Sequence, residues 1–174
     1  MRDKAIVFAG LMPHAPILVP GVGGGRVAQA KRTVSAMTKE AGQVVAANPG
    51  TVVLISPHSP RQSGAFGVWR TPRLRGSLGQ FGSPEDRVDL PLDRPFADRL
   101  EQEIRQRGLR TWHITGEDLD HGATVPLVYL GAAGWKGPTV IVSLNHPGQG
   151  GLDALGQAIA AARYALPAML WKKW

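Results

Sequence analysis

The chain has no cysteine, which removes disulfides, thiolate metal sites and a cysteine nucleophile together. A transition metal here must rely on histidine with aspartate or glutamate, a shell suited to iron, manganese or zinc. No apolar run approaches the roughly 20 residues of a membrane-spanning helix. The start, Met1-Arg-Asp-Lys followed by AIVFAGLM, is broken by Pro13, His14 and Pro16, so it reads as a buried strand rather than a secretory signal. A cytoplasmic protein is expected. Aromatic residues make up only 6% of the chain, and no compact basic block accompanies them, so the stacking platform of single-strand nucleic-acid binders is missing. Acidic residues are also scarce, 13 against 20 basic, for a net charge of +7. The arginines are spread from Arg61 to Arg110, a pattern that fits a solvated basic face or a field steering anionic substrates.

What is present suits one soluble globular domain of 174 residues with a substantial core, 43% hydrophobic and 19% charged. Residues 5–12 form a continuous apolar run, expected as a strand buried on both faces. Residues 26–47 carry Val27, Ala30, Val34, Met37, Ala41, Val44 and Val45 at helical spacing, stopped by Asn48-Pro49-Gly50. Thr51–Ser56 reads as a second strand, giving a β-α-β opening with a right-handed crossover. GAFGVWR (64–70) is a further strand and Thr71–Glu85 a glycine-bearing loop. A helix is expected over Pro95–Arg107, strands over Leu109–Ile114 and Thr139–Leu144, and a last helix over Leu152–Ala162. The fold class is therefore α/β, a predominantly parallel or mixed central sheet flanked by helices.

Three of the five histidines follow apolar runs: AIVFAGLMPH to His14, TVVLISPH to His58 and TVIVSLNH to His146. Ligands of open α/β sheets bind beyond the carboxyl ends of strands, and imidazole is both the commonest metal ligand and a group that titrates near neutrality. His14 and His58 each sit in a proline-flanked turn, M-P-H-A-P and S-P-H-S-P, whose prolines fix the backbone around the ring. They are the candidate metal ligands. His121, in L-D-H-G-A-T-V-P-L, is a candidate acid–base residue with Asp120 orienting its ring or raising its pKa; the alternative makes Asp120 a helix N-cap. His146 is a turn residue, or else the third ligand with His14 and His58 of a zinc site. His113 reads as structural. The glycines at 21, 23, 24 and 25 match neither a dinucleotide fingerprint nor a P-loop and read as a flexible rim. Ser56, Ser59 and Ser143 lack the G-x-S-x-G elbow of a serine hydrolase.

Together, L-M-P-H-A-P, V-V-L-I-S-P-H-S-P, R-G-S-L-G-Q-F-G and L-D-H-G-A-T-V-P-L resemble the class III extradiol ring-cleavage dioxygenase family, and within it the branch related to the Memo proteins. The resemblance runs in order from residue 5 to about residue 166. It implies Fe(II) held by His14 and His58, with His121 near the substrate as catalytic residue. It also implies a small aromatic diol and O2 as reactants. The rival is a Memo-like member that binds a metal or a partner without ring cleavage. The family pattern continues into an S-G-x-x-S-H type strand carrying a base and a later glutamate ligand. No position here matches either: the chain reads A-A-R-Y-A-L-P-A-M-L-W-K-K-W, with Pro167 where a central strand excludes proline. A fold incomplete at its C-terminus is expected, a truncated or frameshifted copy or one half of a split protein. Its partner would be a second copy or a complementary C-terminal chain.

Overall fold

The computed structural model describes residues 6–163; the segment from Tyr164, set above against the family's S-G-x-x-S-H type strand, lies outside them. Among these residues, six strands and five α-helices build a mixed four-stranded sheet with helices on both faces, and a separate hairpin. The strands are β1 (Val52–Ser56), β2 (Ala65–Trp69), β3 (Arg73–Leu78), β4 (Ser83–Pro91), β5 (Arg110–Ile114) and β6 (Thr139–Ser143). The helices are α1 (Pro20–Gly23), α2 (Lys31–Ala46), α3 (Arg94–Gln106), α4 (His121–Ala132) and α5 (Leu152–Ala162). The main sheet has the order β1-β6-β2-β5. β1 pairs parallel with β6 and β2 parallel with β5, but β2 meets β6 antiparallel through Val68 and Val142. The carboxyl ends of β1 and β6 therefore share one edge of the sheet, and those of β2 and β5 the opposite one.

The two central strands, β2 and β6, are buried at every position, as expected of strands covered on both faces. One face packs against α2 and α4 through a core that includes Met37, Ala41, Leu127 and Ile141. The other packs against α3 and α5 through Phe66, Leu100, Ile104, Val142 and Leu155. α3 begins at a true cap: the Asp93 carboxylate accepts from the Phe96 amide, with a proline in the first turn. Its residues Phe96, Leu100 and Ile104 recur every four positions on the buried side. α4 is nearly all buried, Gly122 to Leu127 without a break, which marks it as a core helix rather than an amphipathic surface one.

Three sequence expectations change. Residues 6–15 form no strand; Ile6, Val7 and Leu11 are exposed, and Gly10 lies close to Phe8 and Glu40 of α2. An apolar run makes a strand only where a sheet edge accepts it, and β1 takes its parallel partner from β6 instead, so the opening β-α-β unit is not formed. The glycine rim is not a loop: α1 and a 3₁₀ stretch, Gly24–Ala30, lead directly into α2, tied down by buried Leu18 and Val19. Finally, residues 73–91 are an antiparallel hairpin, β3 on β4. Buried Leu74, Leu78, Val88 and Leu90 follow the period of two of a half-buried strand.

Candidate functional site

Three histidines meet at the carboxyl edge of β1, each delivered by a different device. His14 sits in the irregular segment ahead of a proline-initiated 3₁₀ turn, Pro16–Leu18. That segment is anchored two ways: Leu18 and Val19 are buried, and the Leu18 carbonyl accepts a 2.6 Å hydrogen bond from the Tyr129 hydroxyl of α4. His58 follows β1 by two residues. Its amide donates to Ser56 Oγ at 3.3 Å, and Arg61 folds back to donate to the Pro57 carbonyl at 2.7 Å. His121 is the first residue of α4.

The Nε2 atoms of His14 and His58 face each other at 3.0 Å. Their ring centroids are 4.9 Å apart, and the His121 ring lies 4.3 Å from that of His58 and 6.1 Å from that of His14. Two facing imidazoles at this distance either share one proton in a hydrogen bond or aim both lone pairs at one cation. For a cation about 2.1 Å from each nitrogen, in the octahedral geometry that places ligands at right angles, the nitrogens stand about 3.0 Å apart. The pair therefore fits a metal as a two-imidazole donor set. Among the described residues no group of three or more His, Cys, Asp or Glu has the spacing to hold one.

Asp120 explains much of the rest. Its carboxylate accepts from Ser56 Oγ and from Ser59 Oγ, both at 2.6 Å, and from the Ala123 amide at 3.1 Å. Ser59 Oγ in turn accepts from Trp69 Nε1 at 3.1 Å. One carboxylate thus caps α4 and ties the turn carrying His58 to the helix carrying His121. Both serines are buried, so these charge-assisted bonds are shielded from water. The approach is close because residue 122 is glycine: a Cβ there would lie 2.7 Å from Ser56 Oγ, 2.8 Å from Asp120 Oδ1 and 3.1 Å from His58 Cδ2.

Of the two expectations for Asp120, the helix N-cap is formed, and its upward pull on the His121 pKa is present but outweighed. The Asp120 oxygens are engaged by the serines and the helix cap. Burial, joined by the neighbouring His58, holds the His121 pKa below its ordinary value despite the opposing pull of Asp120. At neutral pH His121 is a neutral imidazole able to accept a proton. His146 does not join the group: it is exposed, and its carbonyl accepts from the Gln149 amide in a turn. The three-histidine zinc shell with His146 has no geometric basis among the described residues. His113 pairs with Glu101 at 3.1 Å on the far strand β5, a structural contact.

Ser56 and Ser59, which the sequence presents only as nucleophiles without an elbow, carry the site's scaffold instead. Phe81, in the 3₁₀ turn Gly79–Phe81 at the hairpin tip, reaches the same place, its ring 5.6 Å from His121 in a T-shaped arrangement. The signal that would have found it is the Leu74, Leu78, Val88, Leu90 alternation that predicts a hairpin.

Fold and site together define an α/β domain with a histidine cluster at one edge of its sheet. Residues 8–170 match the model of the catalytic LigB subunit of aromatic ring-opening dioxygenase, and the chain belongs to that family. Dioxygenases of the family are generally metal-dependent and act on an aromatic substrate with O2. A protein of Clostridium acetobutylicum whose name states no activity is 23% identical over 129 residues, 69% of this chain and 28% of the relative. The matched region thus spans well under a third of that relative's length. Among the described residues no helix is long and apolar enough to cross a membrane.

Proposed function

We propose that this chain is a non-haem Fe(II) extradiol dioxygenase domain that opens catecholic rings, with His14 and His58 as metal ligands and His121 as the acid–base residue. The observation that carries this reading is the 3.0 Å approach of the two Nε2 atoms, in a chain of the ring-opening dioxygenase family. Bound there, ferrous iron supplies a Lewis acid and a redox partner for diol and O2.

The protein's own residues do the rest. Both imidazoles must be neutral to offer lone pairs, so metal and proton compete for them. His121, whose ring lies 4.3 Å from that of His58, takes a proton from a ring hydroxyl and later returns one. The Asp120–Ser56–Ser59 network fixes His58 against His121, so that proton acceptor and metal pair keep one spacing. Among the described residues this pair supplies two donors.

Anaerobic reconstitution with ferrous ion, followed by metal analysis, tests this. His14→Ala and His58→Ala should each abolish binding, His146→Ala should leave it intact, and His121→Ala should retain metal while losing oxygen uptake with catechol. Metal retention by His14→Ala and His58→Ala would end the proposal.

A further inference from the structure

Phe81 is a large apolar side chain left exposed beside the His121 imidazole, 37% accessible, although the hairpin that carries it is firmly seated. Leu74 and Leu78 are fully buried. Gly76 lies flush against Leu119 and Thr124 at the start of α4, where a Cβ would collide with the Thr124 hydroxyl. The tip closes through Gly82, whose φ of +89 is a left-handed conformation that glycine alone adopts without strain. The position of the ring is thus set by the packing of the hairpin and by a glycine-dependent turn.

The aromatic groups run in the order His14, His58, His121, Phe81, with successive centroids 4.9, 4.3 and 5.6 Å apart. A ring whose hydroxyls lie at the first two has His121 alongside and its far end toward Phe81. Past the tip the hairpin carries Glu85 and Asp86, each within hydrogen-bond distance of Ser83 Oγ at 2.7 and 2.8 Å, followed by Arg87. Arg61, on the His58 turn, is bent back to the Pro57 carbonyl. The far end of the site therefore offers an exposed apolar ring, against which a carboxylate would lose its water without gaining a partner.

We infer that Phe81 is a specificity-determining residue that selects aromatic diols bearing an apolar or aryl substituent over those bearing a carboxylate. This rests on the dioxygenase reading of the same site. Packing of two aromatic rings against each other corresponds to a preference of about three- to tenfold.

Anaerobic calorimetric titration of the ferrous-loaded protein with phenyl-substituted catechol and with protocatechuate reads the preference without turnover. The wild type should bind the phenyl compound more tightly. Phe81→Ala should weaken that ligand by about three- to tenfold and leave protocatechuate within about twofold. Phe81→Leu should keep part of the preference, and Phe81→Arg should reverse it. Equal weakening of both ligands in Phe81→Ala means a structural role and overturns the inference, as does no change in either. A wild type that binds neither diol overturns the dioxygenase reading and this inference with it. Binding of both diols with the carboxylate preferred overturns the inference alone.

Discussion

Replacing Asp120 by alanine tests whether one carboxylate holds the site together. The substitution removes the N-cap of α4, worth about 1 kcal/mol. It also leaves the buried hydroxyls of Ser56 and Ser59 without their acceptor, at about 1–3 kcal/mol each. Groups sharing one network do not add fully, so the expected loss is about 3–5 kcal/mol, a large share of the about 5–15 kcal/mol that stabilises a typical domain. In urea, with a slope near 2 kcal/mol per molar for a chain of this size, the midpoint should fall by about 2 M at unchanged slope. A double-mutant cycle isolates the network. In a Ser56→Ala/Ser59→Ala background the same change should cost only the cap, about 1 kcal/mol. Asp120→Asn, which keeps the cap and one acceptor, should fall between. An Asp120→Ala loss below about 1 kcal/mol, or an equal loss in both backgrounds, would refute the reasoning.

Two further outcomes concern stability. Burial, and secondarily Asp86, raise the Tyr129 pKa above its ordinary 10. The native state therefore keeps this proton longer than the unfolded chain does, and the resulting stability is present below pH 10 and lost as pH rises through the folded value. Urea midpoints should decline in that alkaline window, and Tyr129→Phe should flatten the decline while costing about 1 kcal/mol at pH 7 through the Leu18 bond. Glu101, 3% exposed, lies 3.5 Å from Arg70 Nε and 3.1 Å from Arg105 Nη1. Glu101→Ala leaves the largely buried Arg70 guanidinium with only the half-exposed Asp98 as partner and should cost about 3 kcal/mol by thermal or urea unfolding.

The helices α3 and α5 and the strands β1, β2, β5 and β6 were legible in the sequence because each has a local cause: Asp93 and Pro95 at one helix start, unbroken apolar runs in the central strands. Sheet direction was not legible. Apolar runs carry no record of which neighbour they pair with, so the antiparallel meeting of β2 and β6 and the unpaired course of residues 6–15 were invisible. The hairpin was hidden by its glycines at 76, 79 and 82, which read as loop although Leu74 and Leu78, Val88 and Leu90 alternate. Of the site, the three histidines were visible as residues, from proline-flanked turns and the D-H-G segment. The serines were not, because a hydrogen-bonding scaffold depends on contacts across 61 and 64 positions of chain that no local pattern encodes.

What gathers the site is α4 rather than the sheet edge alone. The helix carries His121 as its first residue, and its cap Asp120 holds the serines on both sides of His58. Two turns on, Tyr129 holds the carbonyl of Leu18 in the segment that follows His14. Thr124 seats against Gly76 of the hairpin that brings Phe81. Four groups from four parts of the chain are thus referenced to one buried helix, and a buried helix is displaced only as a body in a close-packed core. Perturbing α4 should therefore move all three imidazoles together, whereas the α3–α5 face, which holds none of these tethers, can be weakened with the His14–His58 spacing intact.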